Sequence, residues 1–169
     1  MKLDRWKILS SVCWAWLAST VGCQQVDPAK ELVPLVDSYV KVWNTGDVAA
    51  LNPVADPQFT LYMSPKFQPV RGLDSLKETI ARTRALYPDF FIRIDESIFA
   101  QDAVAARWTI TATDAGKSEP SLAGKQVKVQ GMSILHVKGG KIIDEWVFAN
   151  DLAWLDQLGF SVVPTRGKD

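Results

Sequence analysis

The chain is poor in sulfur and imidazole: its 169 residues include two cysteines, three methionines and one histidine. A disulfide framework is excluded, because Cys13 lies in an N-terminal apolar segment and Cys23 is then left without a partner. A metal centre is not expected either. His136 would need carboxylates at ligand spacing to complete a coordination shell, and the sequence offers none. Charge of one sign is also missing: 19 basic and 19 acidic side chains balance, so there is no basic footprint for nucleic acid. Phosphate loops, nucleophile elbows, dinucleotide fingerprints and Cys-x-x-Cys pairs do not occur, and no cofactor is expected. Internal repeats and low-complexity segments are lacking as well. What remains is 47% hydrophobic and 22% charged, the composition of one globular domain large enough to bury its own core.

The N-terminus reads as a separate object. Lys2, Arg5 and Lys7 precede the apolar stretch Ile8 to Val21, which is too short to span a bilayer and suits an export signal. It ends in Thr20-Val21-Gly22-Cys23, which resembles the lipobox of bacterial lipoproteins, where the cysteine is lipidated and becomes the new N-terminus. The resemblance implies a signal peptide over residues 1–22, a lipid anchor on Cys23, and export to the cell envelope. Cleavage there removes three basic residues and one acidic residue, leaving 16 and 18, a net charge of −2. Residues 23–30 form a tether, 31–160 the folded domain and 161–169 a C-terminal tail.

Within the domain, Leu32, Leu35, Val36, Tyr39, Val40 and Trp43 fall at helical spacing. Pro34 predicts a kink or a start near Val33. Asn44-Thr45-Gly46 ends this helix, and Asp47 is placed to cap a short second one over Val48 to Leu51. Gln58 to Met63 alternates as a strand. Ser64 to Gly72 reads as a loop, and Asp74 as the cap of a helix over Ser75 to Leu86. Four strands follow, Phe90–Phe99, Ala103–Thr113, Gln126–Val137 and Lys141–Phe148, joined by tight turns at Gln101-Asp102 and Lys138-Gly139-Gly140 and by a polar loop from Asp114 to Gly124. A short glycine-closed helix, Asp151 to Leu158, ends the domain. Helices first and a strand meander afterwards predict an α+β fold, with N-terminal helices packed on one face of a curved antiparallel sheet.

The segments Tyr39–Asp47 (YVKVWNTGD), Leu86–Phe90 (LYPDF), Ala105–Thr111 (AARWTIT) and Gly139–Gly159 (GGKIIDEW…NDLAWLDQLG) resemble the SnoaL-like polyketide cyclase family, of the nuclear transport factor 2-like superfamily. The resemblance runs from roughly Glu31 to Gly159. It implies a cone-shaped α+β domain whose open mouth holds a small, largely apolar molecule, often in a homodimer. It also implies a general acid–base aspartate four residues after the tryptophan of the last strand, a position that here is Asn150. A histidine near the ligand is part of the same pattern, and His136 stands there. Epoxide hydrolases of the superfamily set an arginine between two aspartates, and Thr109 and Asn150 roughly occupy the places of those acids.

Period two puts Trp146, Phe148 and Asn150 on one face of the last strand, as a pocket wall. His136 shares its parity with Met132 and Ile134, so these three are expected to face the cone interior, together with Trp43 and Trp108. His136 there is either a satisfied interior histidine or a base titrating near neutrality. Trp108, Ile110 and Ala112 are expected to face the core, with Thr109, Thr111 and Thr113 on the solvated face and the direction of Arg107 open. Asp151, one residue past Asn150, is expected to point away. Because an amide cannot exchange a proton near neutral pH, binding of a small apolar molecule without cyclase chemistry is the first functional expectation. An isomerase, cyclase or hydratase using His136 as base and Asn150 as a polar orienting group is the second, and a dimeric scaffold the third.

Overall fold

In the computed structural model, residues 27–63, 68–161 and 163 are described; the leader, Cys23 and most of the C-terminal tail lie outside them. Helix α1 spans Pro28–Thr45. It begins inside the expected tether because two local signals act there. Asp27 Oδ1 accepts a hydrogen bond from the Ala29 N–H at 3.1 Å, and Pro28, whose missing N–H costs nothing at the first helical position, follows the cap. Pro34 is therefore internal to α1 rather than at its start. The buried stripe is Leu32, Val36, Tyr39 and Val42, and Gly46 closes the helix in a left-handed conformation with φ 76°.

Val48–Leu51 forms a 3-10 turn rather than an α-helix, and Asp47 makes no side-chain cap bond to it. Strand β1 runs Ala55–Tyr62 and the short β2 Val70–Arg71, inside the segment expected to be loop. Helix α2, Leu73–Leu86, starts after Gly72, and Asp74 does not cap it but pairs with Lys77 at 3.2 Å in its first turn. Strands β3 (Phe91–Phe99), β4 (Ala103–Thr113), β5 (Gln126–Lys138) and β6 (Lys141–Ala149) form the expected meander, and α3 covers Asp151–Leu158.

The six strands make one curved, unclosed sheet in the order β2-β1-β6-β5-β4-β3. The α+β architecture is the one the sequence implies, with a refinement: β1 runs parallel to β6, so the sheet is mixed. That pairing sets Leu61 opposite Glu145 and Tyr62 opposite Trp146. A bulge at Asp95 bends β3, and another, at Ile143 on β6, lies opposite the step from His136 to Val137 on β5. One core cluster joins α1, β1 and α2 to Val104, Leu135 and Ile142, and a smaller one gathers Phe90, Ala112, Leu122, Val127 and Leu158. Trp43 packs against both.

Candidate functional site

Cross-strand partners share a face of the sheet, so the register identifies the concave side. Ala106, Trp108 and Ile110 of β4 stand opposite Ser133, Gly131 and Val129 of β5. Ser133 and Leu135 stand in turn opposite Val147 and Glu145 of β6. Of these, all but Val129 and Gly131 line, with Ile92 and Ile94 of β3, Leu61 of β1 and residues of all three helices, a cavity of about 340 Å³. Its wall is overwhelmingly aliphatic and aromatic, with Val36, Tyr39, Val40 and Trp43 of α1 forming one side. Gly131 makes room for the Trp108 indole: a Cβ there would lie 2.2 Å from its Cη2 atom.

Two hydrogen-bonded pairs of polar side chains interrupt that wall at depth. The Tyr39 hydroxyl donates to Glu145 Oε2 at 2.7 Å, and the Trp108 indole N–H donates to Ser133 Oγ at 2.9 Å. Glu145 is 8% exposed and Tyr39 2%. Burial pushes the Glu145 carboxyl above the ordinary glutamate range, against the hydrogen bond from Tyr39 that pulls it back. Burial likewise raises the Tyr39 phenol well above its usual value, and the charge of Glu145 and the bond to it add to this. A carboxyl desolvated in an apolar cavity and held by a phenol is the kind of group that binds or moves a proton on a neutral ligand.

The rim is set by α3 and α2. Asn150 leaves the strand and caps α3, its Oδ1 accepting from the Ala153 N–H at 3.1 Å. Strand alternation stops at that residue, and the first helical residue, Asp151, turns to line the cavity with Trp154 and Arg82. The far end of α3 is fastened to the start of β5: Gln157 accepts from the Lys128 N–H at 2.8 Å and donates to its carbonyl at 3.2 Å, and Lys125 Nζ donates to the Leu158 carbonyl. Tyr87 meets Trp154 edge-on at 5.2 Å beneath it.

The sequence profile of SnoaL-like polyketide cyclases matches residues 34–158. The chain belongs to this family. No curated protein matches the SnoaL-like chain. Among solved structures, a candidate polyketide cyclase of Bacillus cereus is 27% identical with a TM-score of 0.65, the match covering 78% of this chain and 82% of that one. TsrD of Streptomyces laurentii has a TM-score of 0.68 at 22% identity, over 80% of this chain and 98% of its own. A SnoaL-like polyketide cyclase of Agrobacterium tumefaciens has 0.64 at 19% identity, over 76% and 98%. The last two likenesses concern the fold alone.

Within the SnoaL-like domain, the expected site residues divide. Trp43 and Trp108 line the cavity. Met132, Ile134, Trp146 and Phe148 do not: they lie on the convex face, 54%, 44%, 41% and 60% exposed, and Tyr62 stacks on Trp146 with ring centres 4.1 Å apart. The correction follows from phase, since β5, and β6 beyond its bulge, turn their odd-numbered residues inward. His136 shares the convex phase, where its Nδ1 lies 2.6 Å from Asp144 Oδ1, so it is not placed as a base for a ligand in the cavity. Asn150 is an exposed cap rather than a cavity wall, and Asp151, expected to point away, is the residue that lines it. Arg107 is on the convex face, paired with Asp95 at 3.2 Å and Glu96 at 3.4 Å. Thr109 on that face is buried rather than solvated, donating to Asp95 at 2.7 Å. Among the described residues, no three His, Cys, Asp or Glu side chains stand together as a metal site. Sequence reasoning missed Glu145, Tyr39 and Ser133. The one available signal was Glu145 opposite Leu61 and Leu135, a carboxyl among aliphatics, and that emerges only with the register.

Proposed function

We propose that the domain binds a small, largely apolar molecule in the cavity between the helices and the concave face of the sheet. The observation that carries this reading is the cavity itself: its volume of about 340 Å³ suits a small organic ligand, and its wall is apolar with a few convergent polar groups. Mass spectrometry of the protein purified from its own host and then denatured tests it. A specific co-purifying compound is expected, and displacement of it by Trp43→Ala and Ala106→Trp would follow. If a naphthalene-sized hydrocarbon fails to bind the ligand-stripped protein, the reading is wrong.

Asp151 supports a second, catalytic reading in which the domain transfers a proton on the bound molecule. A carboxylate at the rim of an apolar cavity is within reach of a ligand seated there, and the family resemblance implies such an acid–base aspartate at this junction. Exchange of the methyl protons of bound 2-acetylnaphthalene into D₂O is the measurement. Asp151→Asn should slow it strongly with little change in ligand affinity, whereas equal rates in both proteins would remove the catalytic reading.

Export and anchoring through Cys23 remain our proposal from the leader sequence. Metabolic labelling with a fatty acid should tag the wild-type chain and not Cys23→Ser. Pairing of two copies through the convex apolar stripe of Tyr62, Met132, Ile134, Trp146 and Phe148 is proposed on the exposure of that stripe. Sedimentation equilibrium should show a dimer that Ile134→Lys with Phe148→Lys converts to monomer.

A further inference from the structure

The donors at the cavity floor can be followed one by one. The Trp108 N–H is spent on Ser133 and the Tyr39 O–H on Glu145. The Ser133 hydroxyl accepts from Trp108 and lines the same wall as Glu145. The indole and phenol protons are therefore already engaged, and the phenol's goes to the one carboxyl at the floor. That carboxyl, desolvated among aliphatic side chains, offers a further proton when neutral. An ionised Glu145 would present only acceptors and a negative charge to an apolar wall, which is unfavourable for any ligand lacking a donor.

We propose that neutral Glu145, held in place by Tyr39, is the specificity point of the cavity, donating a hydrogen bond to the carbonyl oxygen of a small apolar ketone, aldehyde or ester and rejecting the corresponding carboxylate. This rests on the cavity being the ligand site. It names the substrate class by the donor that a neutral buried carboxyl presents and by the aliphatic surroundings, Leu61, Leu135 and Val147, that would penalise a negatively charged ligand. The raised carboxyl is consistent with a proton retained on Glu145 into the range where ordinary glutamates have lost theirs. Among the residues lining the cavity, the other titratable or charged groups are Tyr39 from α1, Arg82 from α2 and Asp151 from α3; β1, β3, β4 and β5 contribute none. Arg82 is the competing anchor, since a guanidinium would favour the carboxylate instead.

Three probes with one ring system separate these possibilities: 2-acetylnaphthalene, 2-ethylnaphthalene and 2-naphthoate, titrated into the purified protein from mildly acidic to mildly alkaline pH. Wild type should bind the ketone at least about tenfold tighter than the naphthoate at the acidic end, with its infrared carbonyl stretch moved to lower wavenumber. Both effects should fade as Glu145 ionises. Glu145→Gln, which keeps the shape and a neutral donor, should retain the ketone preference without the pH dependence. Glu145→Leu should lose the preference and the carbonyl shift while still binding 2-ethylnaphthalene. A wild-type preference for naphthoate, or equal and pH-independent binding of ketone and hydrocarbon, overturns the assignment of Glu145 and leaves the cavity standing. Failure of all three probes to bind overturns the assignment together with the cavity reading.

Discussion

Asn44 exchanges both ends of its side-chain amide with the backbone of Ile92: its Nδ2 donates to the Ile92 carbonyl at 2.9 Å, and its Oδ1 accepts the Ile92 N–H at 2.7 Å. The last turn of α1 is thereby fixed to the outermost strand, and with it the seating of Trp43 and Ile92, both of which line the cavity.

Asn44→Ala leaves both Ile92 groups without their partner in a half-buried place. Each such group costs about 1–3 kcal/mol when unmatched, and water will meet part of the loss. A destabilisation of about 2 kcal/mol is expected, read from the midpoint of urea unfolding with an unchanged slope. A midpoint equal to wild type would show that the clamp adds nothing.

Gly131→Ala should force the Trp108 indole out of its place, because the new methyl would overlap the ring. Overpacking of this kind costs about 1–3 kcal/mol. The indole can only move towards the cavity, breaking its bond to Ser133, so affinity for 2-ethylnaphthalene should fall along with stability. Unaltered tryptophan emission and affinity would contradict the crowding.

Glu145→Gln should alter how stability depends on pH. The native carboxyl titrates above its ordinary value of 4.5, so the folded state holds its proton more tightly than the unfolded chain. The stability from this group is complete below that ordinary value and is lost as pH rises through the folded one. The variant, which has nothing to ionise, should therefore gain on wild type steadily across that window. Urea midpoints at a series of pH values measure the gap, and a gap that stays constant would mean Glu145 titrates normally.

Asn150→Ala removes the cap of α3 and should cost about 1 kcal/mol, while Asn150→Asp, an equally good cap, should change stability by a few tenths at most. Amide exchange of α3 should accelerate in the alanine variant alone. Large loss in the aspartate variant would argue against a capping role.

How much of this was legible in the sequence depends on where polarity sits. The α1 stripe, the hairpins flanking β4 and β5, and the inward phase of Trp108 and Ile110 follow from spacing. The phase of β5 and β6 did not. β5 turns Val127, Val129 and Leu135 inward, but at its centre Ser133 faces in while Met132 and Ile134 face out, and on β6 Glu145 faces in while Trp146 and Phe148 face out, so hydrophobicity points the wrong way just where the two strands line the cavity. The candidate site inverted the signal used to look for it. Asp151 was missed for a different reason: alternation was carried one residue past the point where Asn150 converts strand into helix. β2, two residues long, has no period to detect.

The parallel pairing of β1 with β6 has a consequence in time. β3 to β6 can zip together through neighbouring turns, and such local pairings form early because little chain entropy opposes them. β1 cannot join until β6 exists to receive it, and the bond from Tyr39 to Glu145 spans 106 residues. A ribosome delivers the helix that holds the phenol long before the strand that holds the carboxyl. The hollow between the helices and the sheet is thus the last part of the domain to be completed, and its floor closes only when the two ends of the chain meet.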